Sequence, residues 1–255
     1  MAEHREQLPP LLHDTGERTI PTQQGEVSVV FARHTLTYEY ALRFVEGRTV
    51  LDAGCGTGYG SALLASRARR VCAIDLSNEA IEYCRRQYAA PNLEFLQMDV
   101  TQLPFRHAFD VAVSFQVIEH LPDPDAFLRT LKHAVHPGGS IVLATPNVRV
   151  PRSGDASNPF HCSEMSYAGL HALLSRHFAS FQISGIAHAR QNALRAFVYR
   201  SPLYALGKRL RRGNVVKKLA NKTLDMTSFR IISERVAEEA LDLIAVCTND
   251  GSRAA

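Results

Sequence analysis

The chain has 255 residues, 45% hydrophobic, 21% charged and 8% aromatic, which excludes a mainly disordered, collagen-like or coiled-coil protein and predicts one soluble domain with a sizeable core. Lys and Arg exceed Asp and Glu by 29 to 25, too mild an excess to demand a nucleic-acid or membrane surface. The 5 cysteines (Cys55, Cys72, Cys84, Cys162, Cys247) form no C-x-x-C pair, which argues against a disulfide framework or thiolate zinc site and fits a reducing compartment. No stretch reaches the roughly 18 apolar residues of a membrane span, and the polar start Met-Ala-Glu-His-Arg-Glu-Gln is unlike a signal peptide, so a cytoplasmic location is expected.

In chain order, residues 1–28 are polar, carry Pro9, Pro10 and Pro21 and show no sustained period, which predicts an N-terminal arm ahead of a single domain over residues 29–255. After Thr35, the helical spacing of Tyr38, Ala41, Leu42, Phe44 and Val45 predicts a first helix, closed by Gly47. From Thr49, short β-branched runs alternate with helical patterns, the signature of a parallel sheet covered on both faces. Strands are predicted at Val50–Ala53, Val71–Asp75, Leu93–Gln97, Phe109–Phe115 and Ser140–Thr145, and helices at Gly60–Arg69, Asn78–Tyr88 and Pro124–Val135. Asp75-Leu-Ser77-Asn78 supplies capping residues for the second of these helices, and Pro137-Gly138-Gly139 ends the third and turns the chain into the fifth strand.

A further helix at Tyr167–His177 leads to a strand at Phe181–Ile186, and the last strand is predicted at Leu241–Cys247. Residues 188–240 form an insertion whose Leu194, Phe197, Tyr199, Leu203, Tyr204, Leu206, Phe229 and Ile231 predict helices packing as a lid or a homodimer surface. The insertion holds Lys208, Arg209, Arg211, Arg212, Lys217 and Lys218; without them acidic residues would outnumber basic ones, so the basicity is local.

The strongest motif is Val50-Leu-Asp52-Ala-Gly54-Cys55-Gly56-Thr-Gly58-Tyr-Gly60, a strand running into alternate glycines and then a helix. Such glycines let the backbone approach a ligand closely. The dinucleotide pattern G-x-G-x-x-G/A is absent, because its third position is Tyr59, Ser61 or Leu63 depending on the first glycine chosen, and this disfavours a nicotinamide oxidoreductase. Asp75 ends the second strand roughly twenty residues after Gly54, the spacing at which a carboxylate meets ribose hydroxyls. Asp99 ends the third strand at the same edge, and open parallel sheets bind ligands beyond the carboxyl ends of their strands. Gly, Asp and Asp at three such ends describe a nucleoside site.

These residues carry a family resemblance. Residues 49–147 resemble the class I S-adenosylmethionine-dependent methyltransferases, in particular the group related to the ubiquinone-pathway O-methyltransferases, through Leu51-Asp52-Ala-Gly54-Cys-Gly56-Thr-Gly58, the acidic second strand end and the late Pro137-Gly138-Gly139. The resemblance implies an α/β, Rossmann-like, doubly wound seven-stranded sheet with the last strand antiparallel, a helical insertion before that strand, and S-adenosylmethionine laid over the carboxyl edge. It implies that Gly54, Gly56 and Gly58 approach the methionine portion, with Asp52 and Cys55 in the same loop. Asp75 would hold the ribose, Asp99 with its neighbour Val100 would meet the adenine, Leu76 and Met98 would flank the ring, and Phe115 and Gln116 would lie near the sulfonium. Arg33, read as lying just before the first helix, would pair with the methionine carboxylate.

A sulfonium methyl is already activated, so the protein has mainly to align the acceptor and, for a hydroxyl, to receive its proton. After the fourth strand comes Gln116-Val-Ile-Glu119-His120, and after the fifth comes Asn158-Pro-Phe-His161. This resembles the ubiquinone-pathway O-methyltransferases and, more loosely, the small-RNA 2′-O-methyltransferases, in which two Glu and two His bind a divalent metal. Gln116 stands where the metal-binding RNA enzymes carry the first Glu, which leaves Glu119, His120 and His161 as candidate ligands for Mg²⁺ or Mn²⁺. Without metal, His161 or His120 would act as general base, the role favoured here over metal ligation. The expected activity is methyl transfer to a small-molecule hydroxyl on a sugar, phenol or secondary metabolite. The rivals are an RNA 2′-O-methyltransferase, disfavoured because the basic excess is one short run, and an S-adenosylmethionine-binding protein without methyl transfer.

Overall fold

Alternation along each strand buries both faces of a single sheet. In the computed structural model, which describes residues 29–150, 160–189 and 229–251, Val50 faces one core layer and Leu51 the other, and Val71 and Cys72, Val111 and Ala112, and Ile141 and Val142 divide in the same way. The strands are β1 (Thr49–Ala53), β2 (Arg70–Asp75), β3 (Leu93–Gln97), β4 (Phe109–Phe115), β5 (Val135–Pro146), β6 (Phe181–His188), β7 (Phe229–Ile232) and β8 (Asp242–Thr248). They form one sheet in the order β3-β2-β1-β4-β5-β8-β6-β7. The first five are parallel, and β8 runs antiparallel to both β5 and β6.

Helices α1 (Val29–Val45), α2 (Tyr59–Ala65) and α3 (Asn78–Gln87) cover one face. There Ala41, Val45, Leu64 and Ile81 are fully buried. Helices α4 (Pro124–Ala134) and α5 (Tyr167–His177) cover the other through Phe127, Leu128, Leu131, Leu170 and Leu174. Each such side chain contributes about 1.5–3 kcal/mol by leaving water. Local signals set the helix starts: Ser77 accepts from the Ala80 amide, Asp123 from that of Ala126 with Pro124 at the first turn, and Ser166 from that of Gly169.

The fold class is the expected one, with differences in detail, among them α2 ending at Ala65 rather than Arg69. The sheet has eight strands rather than seven, because β7 falls within the segment read as a helical insertion and pairs with β6. β5 starts at Val135 rather than Ser140; its register against β4 shifts between Phe109 and Val111, so Pro137-Gly138-Gly139 is an irregularity inside the strand. α1 begins at Val29, which places Arg33 inside the helix rather than before it. The N-terminal arm 1–28, residues 190–228 of the insertion and with them the basic run 208–218 lie outside the described residues. Among the described residues, no helix is long and apolar enough to cross a membrane.

Candidate cofactor and active site

The sheet order reverses between β1 and β4, and the ends of these strands and their neighbours carry the predicted residues. β1 leads into a turn in which Gly54, Gly56 and Gly58 all have positive φ. At Gly54 two constraints coincide: φ is 88°, and a Cβ would lie 2.3 Å from Val117 Cγ2, so a larger residue would both strain the turn and displace the chain after β4. The Gly54 and Cys55 amides both donate to the Ile74 carbonyl, which fastens the loop to β2.

Asp75, at the end of β2, accepts the Gly56 amide on one carboxylate oxygen and the Ser77 amide on the other, each at 2.9 Å. A carboxylate offers about four acceptor positions, so these two bonds fix its orientation while lone pairs remain for ribose hydroxyls. The Met98 amide donates to the Asp75 carbonyl and the Gln97 side chain to that of Leu76, which brings Leu76, Met98 and Asp75 to one corner. Leu76 is 69% exposed there although it is a large apolar residue. Asp99 holds the Thr101 amide and hydroxyl at 2.8 Å, and Val100 beside it is buried. Phe115 is buried against Tyr38, edge to face at 4.8 Å. Gln116 follows with φ 58°, a left-handed conformation that a non-glycine residue adopts at energetic cost and that clusters at functional sites.

Three residues of the predicted set have partners within the chain. Arg33 is 6% exposed, and its Nη1 lies 3.1 and 2.9 Å from the two carboxylate oxygens of Asp242. The guanidinium thus holds the start of β8; breaking such a buried pair costs about 3–5 kcal/mol. Asp52 is fully buried beneath the glycine loop, accepting from Ser61 Oγ at 2.6 Å and from the Tyr38 hydroxyl at 3.3 Å. It braces the loop from below, and no Cβ could stand at Gly60 because the Tyr38 ring lies 2.1 Å away. Cys55 likewise turns inward, its thiol buried near Cys84.

Burial pushes the Asp52 carboxyl up to about 7, against the opposing bonds from Ser61 and Tyr38, with the Asp75 charge adding to the rise. Between pH ~4 and ~7 the folded chain therefore holds a proton that the unfolded chain has released, and stability falls as pH rises through that window. Asp52→Asn should stabilise the cofactor-free protein at pH 8 by on the order of a few kcal/mol, seen as a higher melting temperature, and change its stability little at pH 4. Equal shifts at both values in a thermal scan would contradict this.

The second cluster lies past β4. A 3-10 turn at Ile118–His120 buries Glu119, which accepts from Thr145 Oγ1 of β5 at 3.1 Å. The backbone carbonyl of Glu119 accepts the Cys162 and Ser163 amides at 2.9 Å, so the segment carrying His161 is docked onto this turn. His120 Nδ1 meets the Phe160 carbonyl at 3.1 Å, and the His120 and His161 rings pack edge to face at 4.8 Å. One candidate donor atom from each of Glu119, His120 and His161 lies within 4.8 Å of the others. Sequence spacing missed Glu164, whose carboxylate lies 2.6 Å from His161 Nδ1; the signal available was the three-residue separation of the pair.

Residues 51–143 match the family model described as a methyltransferase domain. Over 188 residues the chain is 38% identical to a Mycolicibacterium smegmatis protein named "Probable S-adenosylmethionine-dependent methyltransferase", covering 71% of each chain. The chain belongs to the S-adenosylmethionine-dependent methyltransferases. A ubiquinone biosynthesis O-methyltransferase from Albidiferax ferrireducens is 33% identical to this methyltransferase over 114 residues, 43% of this chain and 45% of that one. The fold is shared with a solved Thermotoga maritima S-adenosylmethionine-dependent methyltransferase, with a TM-score of 0.59, 14% identity and coverage of 86% and 92% of the two chains. The cofactor of the methyltransferase is S-adenosylmethionine, and its own residues fit that group. A Cβ built at Gly56 would meet nothing within 4 Å, an open cradle in the middle of the loop, and the large apolar Leu76 next to Asp75 is exposed.

Proposed function

We propose that this methyltransferase methylates a hydroxyl group of a small molecule, with His161 receiving the hydroxyl proton. The observation that carries the reading is the gathering of Glu119, His120 and His161 beside the end of β4, where Gln116 adopts its left-handed turn. The O-methyltransferase activity named for the Albidiferax relative supports a hydroxyl acceptor. When bound, the cofactor supplies a methyl group on a cationic sulfur, ready for in-line displacement.

The chain's own residues then have three tasks. Gly54, Gly56 and Gly58 let the backbone lie close to the methionine portion, Asp75 holds the ribose, and Leu76, Met98, Asp99 and Val100 enclose the adenine. Phe115 and Gln116 line the approach to the reacting carbon. A neutral imidazole that donates from Nδ1 carries its lone pair on Nε2, so His161, held by Glu164, takes the proton on Nε2 as the acceptor oxygen attacks. The arm 1–28 and the inserted segment 188–240 are assigned to acceptor recognition and, for the latter, to a dimer surface.

A second reading has a specific observation behind it. One carboxylate and two imidazoles with donor atoms within 4.8 Å suit a divalent ion that keeps positions open for substrate oxygens. Glu119, His120 and His161 would hold it, and it would lower the affinity of the acceptor hydroxyl for its proton. Chelation separates the two: with His161 as base, S-adenosylhomocysteine release in EDTA stays within about twofold of the untreated rate. Loss of activity in EDTA with recovery on adding Mg²⁺ or Mn²⁺ selects the metal reading.

A further inference from the structure

We propose that Glu164 is the positioning residue of the acceptor site: it fixes the tautomer and orientation of His161. This rests on the reading of His161 given above. The contact is short, 2.6 Å from Glu164 Oε1 to His161 Nδ1, with the His161 side chain 9% exposed and that of Glu164 32% exposed. An ionised carboxylate can only accept, so the nitrogen facing it must carry the proton, and the lone pair is set on Nε2. In solution nothing fixes that choice.

The backbone around Glu164 is held on both sides, which separates this contact from a surface ion pair between two swinging side chains. Upstream, the Cys162 and Ser163 amides donate to the Glu119 carbonyl, and Ser163 Oγ donates to the Leu121 carbonyl at 2.6 Å. Downstream, Met165 bridges to Asn147, just past the end of β5, and Ser166 caps α5. Glu164 is thus carried on a segment tied to the ends of both β4 and β5. The neighbouring imidazole is treated alike: His120 meets the Phe160 carbonyl with its Nδ1. Both rings are gripped at Nδ1, which directs the same nitrogen of each, Nε2, to the chemistry. The hold serves a base and a metal ligand equally, since carboxylates and carbonyls that grip the far nitrogen of a histidine orient it for either task.

The test is nitrogen NMR on the full chain labelled at histidine nitrogens, without acceptor, at about pH 8.5, two units above an ordinary imidazole. The His161 signals are identified by their loss in His161→Asn. In the parent protein His161 should show a protonated Nδ1 and an unprotonated Nε2. In Glu164→Ala the Nε2 signal should shift most of the way toward the protonated position, while S-adenosylhomocysteine affinity stays within about twofold, which certifies the fold. A parent His161 protonated on Nε2, or a tautomer unchanged in Glu164→Ala, overturns the proposal. The readout needs no turnover, so it is independent of the functional reading. Unimpaired methyl transfer by His161→Ala would remove the function proposed for His161 and leave the hold of Glu164 on the ring to be judged by NMR alone.

Discussion

His161→Ala should lower turnover by about 10²–10⁴-fold, the range for losing a positioned proton acceptor, with cofactor affinity unchanged. The separation of the two effects follows from the architecture. The cofactor loop hangs from β1 and β2 through the Gly54, Cys55 and Gly56 amides. His161 sits on a different segment, docked to the turn after β4 through Glu119. Removing its side chain takes away the imidazole without touching a bond of the loop. The measurement pairs S-adenosylhomocysteine production with calorimetric affinity for the same compound. Unchanged turnover would remove both the base and the metal-ligand role, and a parallel loss of cofactor affinity would mean that the two clusters are one structural unit.

Asp75→Ala should act in the opposite way, weakening cofactor binding by a hundredfold or more. The carboxylate orients the Gly56 amide and the first amide before α3, so its loss removes ribose acceptors and loosens the loop they face. Charge-assisted hydrogen bonds are worth about 1.5–3 kcal/mol each, and two of them account for a factor of at least a hundred. Asp75 is on the rim of the sheet rather than in its core, so the variant should still fold, which circular dichroism checks. Normal affinity for S-adenosylhomocysteine in a folded Asp75→Ala protein would eliminate the ribose assignment.

The parallel half of the fold was readable because its signals are local. β3 and β4 match their predicted limits, since alternating apolar residues in a short run bounded by turn residues need no tertiary information. The same holds for α5, where Ser166 caps the first turn and His177 closes the last. The sequence places the start of β5 late because Pro137-Gly138-Gly139 ends a strand in most settings; Val135 pairs with Phe109 ahead of it, and Gly138 and Gly139 exchange hydrogen bonds with Asn249 just past β8. The sequence places the start of α1 late because Thr35 is a capping type and the apolar spacing is clearest after it. What holds the turn before it is the Arg33–Asp242 pair, made across 209 positions of sequence. The same limit applies to Asp52: its partner Tyr38 belongs to α1, which spacing in the sequence does not bring near. The pairing of Glu119-His120 with His161 was legible as a motif, and the structure brings the three together. Glu164 is not legible in the sequence, because a carboxylate three residues from a histidine is ordinary until the backbone locks the pair.

The most direct test of the account follows the transferred methyl. The full chain is incubated with S-adenosylmethionine bearing an isotopically labelled methyl group and an extract of the host. The account predicts stoichiometric S-adenosylhomocysteine and a small-molecule product carrying the label as an O-methyl ether or ester, both suppressed in His161→Ala. A labelled product methylated on nitrogen or carbon, or label recovered in RNA, would contradict it.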